Sequence, residues 1–128
     1  MAARLHGFVI GVVDDDPSIL WSLEHLLESA DYTVRSFASA AALLSSEDMQ
    51  EIDCLISDID MPGVDGFELL AQIEAVRPEL PTFVITGYPE RLKLLPPFVA
   101  AHPRLFTKPF HPEELLSAIS AALASGKL

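Results

Sequence analysis

The chain has 128 residues, 50% hydrophobic and 21% charged, which is enough apolar material for one independent core burying roughly two-thirds of the unfolded surface. That balance excludes a disordered acidic tail, and a net charge of -11 with only 8 Lys and Arg argues against direct contact with nucleic acid, whose phosphates demand clustered cations. No run approaches the ~18 apolar residues of a membrane span, and the single cysteine, Cys54, forms no internal disulfide, so a soluble cytoplasmic protein is expected.

The apolar run Phe8 to Val13 reads as a buried strand and ends on Asp14 and Asp15. Asp16 as N-cap and Pro17 at the first helical position open a helix whose inward face is Ile19, Leu20, Leu23, Leu26, Leu27 and Ala30. Trp21 falls off that stripe and is expected on the surface. A short strand, Thr33 to Phe37, and a weak helix from about Ala40 to Ser45 follow. The third strand, Ile52 to Asp58, carries Cys54 as a small buried hydrophobe and ends on Asp58. Asp65 and Glu68 form a capping box for a helix that turns Leu69, Leu70, Ile73 and Val76 inward and stops before Pro78.

The fourth strand starts at Pro81 and ends on Thr86. Beyond it, Pro89, Pro96, Pro97 and Pro103 interrupt any regular pattern, so the fourth helix is expected to be short, kinked or replaced by loop. Arg104 to Thr107 is the fifth strand, ending on Lys108. Capped by His111 and started by Pro112, the last helix buries Leu115, Leu116, Ile119 and Leu123.

Repeated strand–helix units with near-continuous apolar strands imply an α/β fold, a doubly wound parallel sheet with helices on both faces. Right-handed crossovers favour the flavodoxin-like strand order 2-1-3-4-5. In such a sheet the carboxyl ends of the strands share one edge, so Asp14, Asp15, Asp58, Thr86 and Lys108 converge although they are far apart in sequence. Carboxylates at this density suit a hard divalent cation, which takes oxygen ligands and keeps several waters. An aspartate among them can act as nucleophile toward phosphorus, while an ammonium and a hydroxyl position the phosphoryl group electrostatically. The histidines, His6, His25, His102 and His111, show no zinc spacing.

The segments VVDDDP, SDIDMPGVDG, FVITG and LFTKPF, in this order and spacing, resemble the receiver domain of bacterial two-component response regulators over essentially the whole chain. The resemblance implies a phosphorylation-dependent switch that takes a phosphoryl group from a histidine kinase or histidine phosphotransfer protein and then binds a downstream protein target. It makes Asp58 the phosphoacceptor, Asp15 a direct ligand of Mg2+ or Mn2+, Asp14 a ligand through water, and the backbone carbonyl of Asp60 a third protein ligand. Thr86 and Lys108 would contact the phosphoryl group. Catalysis would extend only to phosphorylation and dephosphorylation of its own aspartate. Asp60 and Tyr88 occupy positions that modulate phosphoryl lifetime in the family.

Two departures stand out. Three residues before the lysine the family often has Tyr or Phe; here Leu105 offers no ring to rotate, and Phe106 should face the other side of its strand. The proline-rich segment also differs, so output is expected to pass through residues 87–103. A second reading, a small haloacid-dehalogenase-like phosphatase, is suggested by Asp58-Ile59-Asp60, although the acidic pair here precedes that motif. The start at Met1 and a complete last helix favour one stand-alone domain over residues 1–128, with a module excised from a transcription factor or hybrid kinase as the alternative.

Overall fold

The computed structural model describes residues 7–60, 66–88, 105–108 and 111–126. Five strands, β1 (Val9–Val13), β2 (Thr33–Phe37), β3 (Cys54–Asp58), β4 (Thr82–Thr86) and β5 (Leu105–Thr107), form one sheet. Their order is β2-β1-β3-β4-β5 and every pairing is parallel, as the alternating pattern implies. The connecting helices are α1 (Pro17–Ser29), α2 (Ala40–Leu44) and α3 (Gly66–Val76), with a C-terminal helix over Pro112–Gly126. A 3-10 turn at Glu47–Gln50, absent from the sequence reading, delays β3 to Cys54.

Side chains alternate across the sheet and so divide the core in two. Ile10, Val12, Cys54, Ile56, Phe83 and Ile85 face one way and pack under Leu23 and Leu27 of α1 and Leu115 and Ile119 of the C-terminal helix. Val13 and Leu55 face the other way, toward Ala40 and Leu43 of α2 and Leu69 and Ile73 of α3. β3 and β4 are buried along their whole length, which fits central strands covered on both faces. Gly11 belongs to this dense packing: a methyl there would lie 3.2 Å from the Ile52 side chain.

Local signals act as expected at the start of α1, where Asp16 Oδ1 accepts from the Ser18 N–H at 2.9 Å. The carbonyl of His111 accepts from the Leu115 N–H at 3.2 Å and begins the C-terminal helix. One expected core position is corrected: Val76 is 58% exposed. It ends α3, and that end of the core is closed instead by buried Leu80 and by the Arg77 guanidinium. The expected cap at Asp65, the proline-interrupted fourth helix and Arg104 lie outside the described residues.

Arg77 Nη1 donates to the carbonyls of Met49 at 2.8 Å and Ile52 at 2.7 Å, tying the residue after α3 to the chain entering β3. Arg77→Met keeps the aliphatic stem but strands both carbonyls, and should cost about 2 kcal/mol, the scale of charge-assisted hydrogen bonds. Urea denaturation checks this: the midpoint should fall with an unchanged slope.

Candidate functional site

The sheet edge at the carboxyl ends of the strands is built by continuing each ladder one step into a polar residue. After β1, the Asp14 N–H still bonds to the Phe37 carbonyl at 3.1 Å, which holds the Asp14 side chain in the interior, 1% exposed. Asp58 is the last residue of β3, paired with Ile85 and 5% exposed. β1 and β3 are neighbours whose chain connections depart in opposite directions, so the two carboxylates flank the switch point where α/β sheets bind ligands. Asp15 points outward from the same turn. The carboxylates of Asp14, Asp15 and Asp58 place oxygens within 4.8 Å of one another.

Lys108 arrives from the other side. Its N–H donates to the Thr86 carbonyl at 2.8 Å, fixing the backbone beyond β5. Two strand spacings of about 4.8 Å separate β5 from β3, so only a long side chain can cross β4. Lys108 Nζ lies 3.2 Å from Asp58 Oδ2 and 3.5 Å from Asp14 Oδ2. Its stem passes Gly87, where a methyl would sit 3.6 Å from Lys108 Cδ, an ordinary contact that larger side chains would exceed.

Electrostatics follow from this crowding. Burial pushes the Asp14 carboxyl up to about 6, the Asp16 N–H bonded to its Oδ1 at 2.9 Å opposes the rise, and the charge of Asp58 adds to it. Burial alone would lower the Lys108 ammonium, but attraction to Asp58 and Asp14 outweighs it and the net shift is upward. Asp14 Oδ2 is buried without a hydrogen-bond partner, and one ammonium faces three carboxylates. An orphaned carboxylate oxygen in an all-oxygen donor set fits a hard divalent cation such as magnesium.

Thr86 ends β4, but its hydroxyl is engaged with the side chain of Asp60, a contact that the sequence reading did not anticipate. Thr86 Oγ1 donates to the Asp60 carboxylate, 3.0 Å from Oδ2 and 3.2 Å from Oδ1, and accepts from the Tyr88 N–H at 3.0 Å. The Gly87 N–H also donates to Asp60 Oδ2, at 2.8 Å. Asp60 in turn donates its N–H to Asp58 Oδ1 at 2.8 Å. The available signal was the second acidic residue in Asp58-Ile59-Asp60, which a parallel sheet sets beside the end of β4.

A flavodoxin-like α/β domain with buried carboxylates and a lysine at its switch point is a class defined by both fold and site. Residues 10–120 match the family model described as response regulator receiver domain. The response regulator protein TodT of Pseudomonas putida is 35% identical over 115 residues, 90% of this chain and 51% of the relative. A response regulator receiver domain protein from Clostridium thermocellum superposes with a TM-score of 0.81 at 26% identity, covering 94% of this chain and 97% of that one. TrrA from Thermotoga maritima, solved in complex with Mg(2+)-BeF, gives a TM-score of 0.79 at 26% identity, covering 90% and 98%. The chain belongs to the response regulator receiver domain family, and its acidic cluster is typical of the phosphoacceptor site of such domains. It spans about half the length of the curated relative TodT. The dehalogenase-like alternative is disfavoured, since the carboxylate it would use for acid–base chemistry, Asp60, is held by Thr86 and Gly87. No described helix is long and apolar enough to cross a membrane.

The raised Asp14 pKa sets a pH dependence with a definite sign. In the unfolded chain the carboxyl ionises near 3.8 and in the folded chain at about 6, so between these values the folded state holds the extra proton and stability falls as pH rises. Urea denaturation without divalent cations should therefore show Asp14→Asn gaining on the wild type from about pH 4 to about pH 7. Parallel stability curves for the two proteins would refute the assignment.

Proposed function

We propose that this receiver domain is a phosphorylation-dependent switch in which Asp58 accepts a phosphoryl group from a histidine kinase or histidine phosphotransfer protein. The observation that carries the reading is the convergence of three carboxylates within 4.8 Å with Lys108 Nζ bonded to Asp58. A carboxylate oxygen of Asp58 attacks phosphorus, the phosphorus–nitrogen bond to the donor imidazole breaks, and the imidazole nitrogen keeps the electron pair. Lys108 stands beside both Asp58 and Asp14 and offsets negative charge as the acyl phosphate forms.

Asp14, Asp15, Asp58 and the backbone carbonyl of Asp60 would hold Mg2+ or Mn2+. When bound, the ion screens the carboxylates from the incoming phosphoryl oxygens. That the related protein TrrA was solved in complex with Mg(2+)-BeF supports the choice of magnesium. Thr86 would donate its hydroxyl to the phosphoryl group once released from Asp60. No activity beyond the chemistry of its own aspartate is proposed. The receiver domain would work in the cytoplasm, passing its state to a downstream protein and not itself contacting nucleic acid, in keeping with its net charge of -11.

Incubation with acetyl phosphate and magnesium should add one acid-stable, base-labile phosphoryl group, read by intact mass. Asp58→Ala should take up none, and equal labelling of that variant would refute the assignment. Asp15→Asn should weaken magnesium binding by at least about tenfold in a titration followed by amide shifts, as expected when one of few protein ligands loses its charge.

A further inference from the structure

The Asp60 carboxylate accepts from the Thr86 hydroxyl and from the Gly87 N–H, so two adjacent donors at the end of β4 are already committed to an anion of the protein itself. The Thr86 oxygen also accepts from the Tyr88 N–H at 3.0 Å, which fixes the hydroxyl between a donor and an acceptor. Through its own N–H, Asp60 is bonded to Asp58 Oδ1, so the carboxylate stands beside the group that would carry the phosphoryl oxygens. A phosphoryl group on Asp58 offers those donors a second set of anionic acceptors. Both sets cannot take the single Thr86 hydroxyl proton, and two anions held together repel each other.

We propose that Asp60 is a positioning residue that latches Thr86 and Gly87 in the unphosphorylated arrangement, so that its carboxylate must release them before they can serve the phosphoryl group. The proposal rests on Asp58 as phosphoacceptor and adds a threshold to that reading. Charge-assisted hydrogen bonds to a carboxylate are stronger than neutral ones, so the latch favours the resting state and weakens binding of any phosphoryl mimic by the same factor. Its backbone bond to Asp58 does not depend on the side chain, so replacing the carboxylate leaves the Asp58 turn in place.

The test is beryllofluoride affinity at saturating magnesium, measured by calorimetry on the wild type, Asp60→Asn, Asp60→Ala, Thr86→Val and the Asp60→Asn/Thr86→Val double variant. Asp60→Asn should bind about tenfold more tightly than wild type, the change expected from weakening one charge-assisted contact. Asp60→Ala should change in the same direction. In the Thr86→Val background the gain from Asp60→Asn should shrink by at least about threefold, because the contact to be released is already gone. The Gly87 amide resonance should also move in Asp60→Asn before any mimic is added. Equal or weaker binding by both Asp60 variants, or a gain of the same size without the Thr86 hydroxyl, would overturn the latch. Failure of every protein to bind beryllofluoride, together with absent acetyl phosphate labelling of the wild type, would remove the phosphoacceptor reading and the latch with it. Labelling at Asp58 without the expected affinity changes would overturn the latch alone.

Discussion

The site depends on one long-range electrostatic bridge: the Lys108 ammonium, carried from β5 across β4, lies between the buried carboxylates of Asp14 and Asp58. Without it, neighbouring strands would bury two like charges with no countercharge, an arrangement normally relieved by protonation. One ammonium does not balance the cluster, since Asp15 adds a third carboxylate. The pKa of Asp14, raised first by burial and further by the charge of Asp58, and its Oδ2, which receives no hydrogen bond, are consistent with that remaining imbalance. Folding therefore leaves an edge with an excess of negative charge and oxygen donors, where a divalent cation would be most stabilising.

Such an edge can exist because the rest of the domain is apolar and closely packed. β3 contributes Cys54, Leu55 and Ile56 to the two faces of the sheet before it reaches Asp58, and β4 contributes Phe83, Val84 and Ile85 before Thr86. Each strand is anchored by burial along its length, so its last residue is placed by the sheet and not by a loop. That rigidity lets Asp58 and Thr86 hold fixed backbone positions although 28 residues separate them in sequence, and Lys108, beyond the less buried β5, is tied to the same edge by its N–H bond to the Thr86 carbonyl. Reactive groups on rigid elements are held more closely to a productive geometry than groups on loops.

Much of this was legible in the sequence because the signals are local and redundant. Strand ends were marked by a switch from apolar to polar, as at Val13-Asp14 and Ser57-Asp58, and helix starts by Asp16-Pro17 and His111-Pro112. Parallel topology then converts strand ends into a shared edge, which is why Asp14, Asp58 and Lys108 could be grouped before their distances were known. Val76 was misread because helical periodicity reports a face but not where the core stops, and Arg77 and Leu80 take over there. The side-chain role of Asp60 was not legible because its partners belong to another strand and a hydrogen bond has no periodicity. Identity alone could not decide whether that carboxylate turned toward the acidic cluster or toward Thr86 and Gly87.

The fifth strand limits how a change at this edge can travel. Leu105 packs with Ile59, Leu70 and Val84 on one face, whereas Phe106 lies on the opposite face with its ring 6.0 Å from that of Phe83. The aromatic of this strand is thus part of the core cluster shared with α1 and the C-terminal helix, where rotating it would disturb close packing. Leu105 has no ring to swing outward. Polar contacts at the end of β4 offer a less costly route, because Thr86 and Gly87 are joined to Asp60, and Tyr88 to Thr86, by hydrogen bonds. Breaking the Asp60 contacts frees the Thr86 hydroxyl and the Gly87 amide together, while the Lys108 N–H bond to the Thr86 carbonyl keeps β4 and β5 aligned. A two-state rearrangement confined to that short polar segment can change the surface beside Tyr88, which is 53% exposed, without unpacking either half of the core.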